Sequence, residues 1–258
     1  MFVRLGTHKI YYEIINTETA SGNKPFLVFL HHGLGSVKQW RDFPHLLSAK
    51  LSVPALLYDR PGYGLSSSLK EKKTLEHWAQ DVDNLKDLLD ILAIKKPVIL
   101  FGHSDGGTLA LMFAAKYPQK VMAVITEAHH LKIEKHTLEG IKKAIDQYEN
   151  GDLRKRLYPY HKEKTDSVFY NWANLWESEQ ALSDDIENIV EQITAPILTI
   201  QGQEDEYGTM YQVEVIKKKS KNPLTQTLLI DNCRHFPHFE HMEKVIEAVE
   251  KFLNSLNL

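Results

Sequence analysis

The sequence predicts an α/β protein with a mostly parallel central sheet, helices on both faces and a helical insertion, and three observations carry that expectation. Short apolar, β-rich runs alternate with longer stretches of helical period, as in sheets whose crossovers are helices. Runs such as Pro25–Leu30 are apolar throughout, so they read as strands covered on both faces. Between Val121–Thr126 and Ile197–Gln201 about sixty residues show no strand pattern and are aromatic-rich, too long for a simple connection.

Taken in order, Phe2–Leu5 and Lys9–Ile14 read as an opening pair of strands and Pro25–Leu30 as a buried strand. Trp40–Leu51 reads as a helix and Pro54–Tyr58 as a strand. Leu75, Trp78, Val82, Leu85, Leu89 and Leu92 recur at steps of three and four, so Thr74–Ala93 is expected to be an amphipathic helix capped by Thr74. Pro97–Phe101 is a strand, and Gly107–Tyr117 a helix stopped by Pro118. The insertion holds helical runs at Lys132–Glu149, Leu153–Tyr158 and Asp166–Trp176. Thr225–Ile230 is a last strand, preceded by a helix near Tyr211–Lys219. Met242, Val245, Ile246, Val249, Phe252, Leu253 and Leu256 form the stripe of a final helix. The expected division is a core of 1–128 and 195–258 with a cap of 129–194 inserted in it.

A chain of 258 residues, 43% hydrophobic and 25% charged, fits one such core with an insertion. No apolar run approaches the roughly 20 residues that span a bilayer, and the N-terminal residues lack the apolar block of a signal peptide. Cys233 is the only cysteine, so no intrachain disulfide forms and a cytoplasmic setting is expected. A net charge of −3 points away from nucleic acid. The expected partner is a small-molecule substrate, with no nucleic acid or membrane; a homodimer is compatible. From Glu177 to Glu206 the chain has nine acidic residues and no Lys or Arg. This stretch reads as a solvated helix and loop, or, more sharply, as a negative rim for cationic substrates.

The chemistry centres on Gly102-His103-Ser104-Asp105-Gly106, which matches Gly-x-Ser-x-Gly between a strand and a helix. That setting makes a nucleophile elbow, with Ser104 on a strained turn and its hydroxyl exposed. A serine needs a base to take its proton, and the base needs an orienting acid. In the order serine, acid, histidine, the acid is Asp205, on the loop after Ile197–Gln201, and the base is His235, after Thr225–Ile230. Glu127, ending the Val121 strand, is the rival acid, and His238 and His241 stand near His235. The His-x-x-His-x-x-His spacing lacks the partner pattern of a metal site, so no metal and no cofactor are expected. Oxyanion donors are expected from the backbone N–H groups of Asp105 and of Leu34, in His31-His32-Gly33-Leu34-Gly35. Asp59-Arg60-Pro61-Gly62-Tyr63-Gly64 reads mainly as a shaped turn beside that loop. Tyr158, Tyr160, Phe169, Tyr170, Trp172 and Trp176 offer aromatic surface, most of it for packing and two or three residues for ligand. Expected substrate contacts are Asp105, Glu127, His129, Trp172, Trp176 and Tyr207.

Together these motifs resemble the α/β-hydrolase fold family over nearly the whole chain. The resemblance implies the triad Ser104, Asp205 and His235, a helical cap, and hydrolysis of a small carboxylic ester through an acyl-enzyme. It departs at Arg234, where relatives often carry Gly: a positive φ there would be strained, and an inward guanidinium would lower the basicity of His235. Arg234 is expected to point outward. Ser104-Asp105-Gly106-Gly107 resembles the elbow of the valacyclovir hydrolase branch, which acts on α-amino acid esters. It implies Asp105 as an ammonium anchor, against the plainer reading of an acid at a helix N-terminus. Further alternatives are C–C bond hydrolysis of dienoic diketones, aminopeptidase-like chemistry, and a non-enzymatic small-molecule receptor. Dehalogenase and epoxide hydrolase readings fail because those relatives carry Asp where Ser104 stands.

Overall fold

The computed structural model describes residues 1–19, 24–69, 71–74, 76–178 and 186–257. Eight strands form one sheet: β1 (Phe2–Leu5), β2 (His8–Ile15), β3 (Leu27–Leu30), β4 (Ala55–Tyr58), β5 (Val98–His103), β6 (Val121–Glu127), β7 (Ile197–Gly202) and β8 (Gln226–Ile230). Their spatial order is β1-β2-β4-β3-β5-β6-β7-β8. β2 pairs antiparallel with β1 and β4, and every other pairing is parallel.

The apolar strands are explained by two cores. Val28, Leu30, Leu56, Leu100 and Val124 face helices α2 (Glu76–Ile91) and α3 (Asp105–Lys116). Leu27, Phe29, Leu57, Ile99, Phe101 and Ile200 face α1 (Phe43–Leu51) and the last helix, Met242–Ser255. Residues alternate between these faces with the pleat, so a strand buried twice shows no polar side. In the last helix the expected stripe is the packed one, with Val245, Val249, Phe252 and Leu253 buried.

Two local expectations differ from the structure. The stretch read as one helix from Trp40 breaks into a short 3-10 turn, Val37–Trp40, and α1. Arg41 between them has φ 52, which no helix tolerates, and Pro44 starts the new helix. Thr74 does not use its hydroxyl on a helix N–H; its own N–H donates to the His77 ring at 2.9 Å. Leu75 of the predicted stripe lies outside the described residues.

Between β6 and β7 the described residues form α4 (Lys135–Glu149), α5 (Leu153–His161) and α6 (Thr165–Trp176), with no strand among them. Tyr148 of α4 stacks on Phe169 of α6 with ring centroids 3.7 Å apart. Beyond them, α7 (Tyr211–Lys219) links β7 to β8, and the final helix is α8.

Candidate active site

The serine is set by backbone geometry. Ser104 sits between β5 and α3 at φ 55, ψ −121, a conformation that costs about 1–3 kcal/mol and persists only where neighbours impose it. They do: Ser104 N–H donates to Glu127 O at 2.8 Å, and Ser104 O accepts from Gly107 N at 2.8 Å. The turn also needs its glycines. A Cβ on Gly102 would lie 2.2 Å from Gly106 O, and one on Gly106 would lie 1.9 Å from Leu30 O. Strand and helix therefore cross at a separation no side chain permits.

The loops after β7 and β8 bring Asp205 and His235 together. His235 Nδ1 donates to Asp205 Oδ1 at 2.8 Å and lies 2.9 Å from Oδ2. Asp205 also accepts from Tyr207 N at 2.8 Å and from Gln201 Nε2 at 2.7 Å. Burial pushes its carboxyl up, but the facing imidazole and these donors outweigh burial and leave it at about 2. Burial pushes the His235 imidazole down, and the Asp205 charge and hydrogen bond more than offset that, so it ends above its ordinary value. No hydrogen bond joins Ser104 to His235 in this structure, although both line one cavity; such bonds are often long in ligand-free sites.

Glu127 and His238 make a second carboxylate–imidazole pair, with Nδ1 2.5 Å from Oε2 and both side chains sealed. His103 lies between the two pairs, its ring 5.1 Å from His235 and 4.9 Å from His238. Its Nε2–H donates to His235 O at 2.7 Å and so holds the backbone of that histidine. His103 is a site residue that the sequence marks only as a letter of the elbow. His241 is elsewhere, with Nε2 3.1 Å from Asn232 O. Among the described residues no group of His, Cys, Asp and Glu is arranged to hold a metal ion.

Behind the serine a buried charge network ties the loops together. Arg60, fully buried, places Nη1 at 3.3 Å from both Asp81 and Asp105 and donates from Nη2 to the carbonyls of His31 and His32 at 3.1 Å. Lys73 completes it, 3.1 Å from Asp81. Asp59 shapes the neighbouring turn by accepting from Val37 N and Leu65 N, each at 2.7 Å. The sequence suggests a shaped turn here, and the structure adds that Arg60 braces the loop carrying Leu34. From α5, His161 accepts from Gly64 N at 3.1 Å and donates to Leu34 O at 3.0 Å, which fixes its proton on Nε2. Leu34 N–H itself donates to His32 Nδ1 over a long 3.3 Å.

A cavity of about 910 Å³ opens over Ser104. Trp172, Trp176 and Tyr207 line it, as do His130 and Tyr160. Asp105, Glu127 and His129 do not, for different reasons. Asp105 is held by Arg60 and Glu127 by His238. His129 is buried with Nε2 donating to Gln212 O at 3.2 Å, and burial takes its imidazole down to about 3. Tyr158 and Tyr170 are exposed, and Phe169 packs inside the helical segment. Arg234 has no positive φ, so the feared strain falls instead on Asn232 at φ 53. The Arg234 side chain is exposed and pairs with Glu206 at 3.2 Å. In the acidic stretch, Lys219 lies near Glu187 and Glu191, and Lys221 near Glu191. Glu179, Asp184 and Asp185 lie outside the described residues.

The elbow, the mostly parallel sheet and the carboxylate-held imidazole together define an enzyme of the hydrolase class. Residues 25–137 match the family model of the alpha/beta hydrolase fold. That match, together with the sheet order, shows the alpha/beta hydrolase fold, and the chain is a hydrolase. It is similar to a proline iminopeptidase of Saccharolobus solfataricus, at 24% identity over 96% of this chain and 91% of that protein. It is also similar to a pimeloyl-[acyl-carrier protein] methyl ester esterase of Wigglesworthia glossinidia brevipalpis, at 25% identity over 90% and 94%. A carboxylesterase structure from Nitrososphaera gargenis shares the fold with TM-score 0.80 and 18% identity, covering 100% of this chain and 99% of that one. An enol-lactonase from Burkholderia xenovorans LB400 does so with TM-score 0.75 and 18% identity, over 98% and 100%.

Proposed function

We propose that the protein hydrolyses a small carboxylic ester through an acyl-enzyme on Ser104. One observation carries the reading: His235 is held by Asp205 at 2.8 Å and shares a cavity with the strained serine. His235 Nε2 takes the Ser104 proton as Oγ attacks the ester carbonyl, and Asp205 fixes the tautomer and steadies the imidazolium. The oxyanion is met by Asp105 N–H and by Leu34 N–H, whose weak bond to His32 the oxyanion replaces. Collapse expels the alcohol, which takes the proton from His235. A water then adds to the acyl-enzyme, again through His235, releasing the acid and restoring Ser104. Residues 129–194 act as the cap, latched to the core through His161.

A second reading, hydrolysis of α-amino esters or N-terminal residues, is favoured by the likeness to proline iminopeptidases. There Asp105 would hold the ammonium, in competition with Arg60. A neutral short-chain p-nitrophenyl ester tests the main reading. Multiple turnover is expected in the wild type, with loss in Ser104→Ala; fluorophosphonate labelling of Ser104 without turnover would instead favour a receptor. A preference for an α-amino ester over its des-amino analogue, lost in Asp105→Asn, would move the assignment to the second reading. The buried, free thiol of Cys233 supports a reducing, cytoplasmic setting, which cell fractionation would contradict by finding the protein outside.

A further inference from the structure

We infer that the substrate carries an anionic group, such as a carboxylate, away from the scissile bond; this rests on the hydrolase reading above. The cavity has two zones. Ile141, Ala144, Leu153, Leu157, Trp172 and Trp176 make an apolar wall. The remaining lining carries four fixed positive charges, on Arg41, Lys143, Arg156 and Arg234, against two carboxylates, on Glu206 and Glu240. Both carboxylates are already engaged. Glu206 takes the Arg234 guanidinium at 3.2 Å, and Glu240 accepts from the backbone N–H groups of Arg234 and Phe236 at 2.9 and 3.2 Å.

Three cations remain against Glu240, whose charge its backbone partners leave in place. Arg41 lies over the Phe239 ring, 4.9 Å from its centroid; it and Lys143 are exposed, and among the described residues neither has a carboxylate within salt-bridge distance. Arg156 meets Asp152 at 3.0 Å, but both side chains are more than half exposed, so that pair is weak. His32 and His130 also line the cavity, yet burial pushes both imidazoles down, His130 to about 4, so they are neutral near pH 7. A cleft with apolar walls and an excess of one sign focuses its field on the opposite charge. An apolar chain ending in an anion matches both zones, and a substrate ammonium is repelled by the same side chains. Of the described members of the acidic stretch, only Glu206 lines the cavity.

The test compares esters that differ only in the remote charge. On the acyl side, the p-nitrophenyl monoester of adipic acid is set against its methyl-capped form and against the p-nitrophenyl ester of 6-aminohexanoic acid. On the alcohol side, the acetate of 6-hydroxyhexanoic acid is set against that of its methyl ester. The anionic member of at least one pair is expected to have kcat/KM higher by about ten-fold or more, mainly through KM. That preference should shrink as salt shortens the Debye length. In the double variant Arg41→Gln, Lys143→Gln, shown to be folded by circular dichroism, the ratio within the pair should fall towards one. Equal rates within both pairs, preference for the amine, or a ratio unchanged in the double variant would overturn the inference while neutral esters are still hydrolysed. Failure to hydrolyse any neutral ester, together with no labelling of Ser104, overturns the hydrolase reading instead.

Discussion

Asp205–His235 and Glu127–His238 are two buried carboxylate–imidazole pairs on either side of one histidine, and their surroundings make them different objects. The first opens on the cavity, and its carboxylate is satisfied by Tyr207 N, Gly208 N and Gln201 besides the imidazole. The second is closed. His238 packs between Trp40, Phe43 and Phe239, with ring centroids 4.9, 5.2 and 4.1 Å away, and Glu127 Oε1 has no hydrogen-bond partner. A short contact between a carboxylate and a histidine therefore does not by itself make a base. Access to the nucleophile separates the pair suited to proton transfer from the pair that braces the elbow's neighbour strand.

The sharpest way to break this comparison is to neutralise each acid in turn. Asp205→Asn should lower kcat on a neutral p-nitrophenyl ester by about 10⁴-fold, because the imidazole loses its orienting charge. Glu127→Gln should change kcat by less than about ten-fold and lower Tm instead, by a destabilisation of about 1–3 kcal/mol for a disturbed buried hydrogen bond. Steady-state kinetics beside thermal melts check both; the opposite pattern would exchange the roles of the two pairs.

The pH profile comes next. In the proposed mechanism His235 must be neutral to accept the serine proton, and its imidazole is held above its ordinary value of 6.5. The acid limb of kcat/KM should therefore lie above pH 6.5, and Asp205→Asn should move it down. Stability carries the opposite sign for the histidines that burial depresses. His31, His32, His103, His129, His130 and His161 bind protons more readily in the unfolded chain than in the folded one. Their contribution is present above pH 6.5 and is lost as the pH falls below it. Asp205, held at about 2, adds a loss only below the usual carboxylate range. Melts from pH 8 to pH 5 should show Tm falling before carboxylates titrate; a flat Tm over that span would contradict the buried neutral imidazoles.

The smallest effect expected is at His103, which touches both pairs but donates a hydrogen bond only to the His235 backbone. His103→Leu should lower kcat by up to about ten-fold, the worth of one buried hydrogen bond, with less change in KM. His103→Gln, which keeps a donor, should recover part of it. Equal losses in Leu and Gln variants would assign His103 to packing alone.

Much of this arrangement is legible along the chain because it is local. The elbow glycines, the apolar strands and the helix stripe of Met242–Leu256 act on neighbours within a few residues, so their meaning survives without coordinates. The order Ser104, Asp205, His235 is also legible, since each residue follows a strand at the same sheet edge. Arg60, His103 and His161 are not legible as site residues. Their partners lie 21–45, 132 and 97–127 positions away, and no periodicity reports such contacts. Asp105, which the resemblance of the elbow marks as an ammonium anchor, lies against Arg60, and His129, an expected substrate contact, donates to Gln212 O; both partners are distant in sequence.

By itself, then, the order of amino acids determined the alternation of strands and helices, the strained serine turn and the set of residues able to act as acid and base, because those depend on short-range sterics and burial pattern. Only the folded molecule decided which acid holds which histidine, which pair meets the cavity and which charge sign its lining presents. Those outcomes depend on packing between segments far apart in the chain, which no local pattern of residues reports.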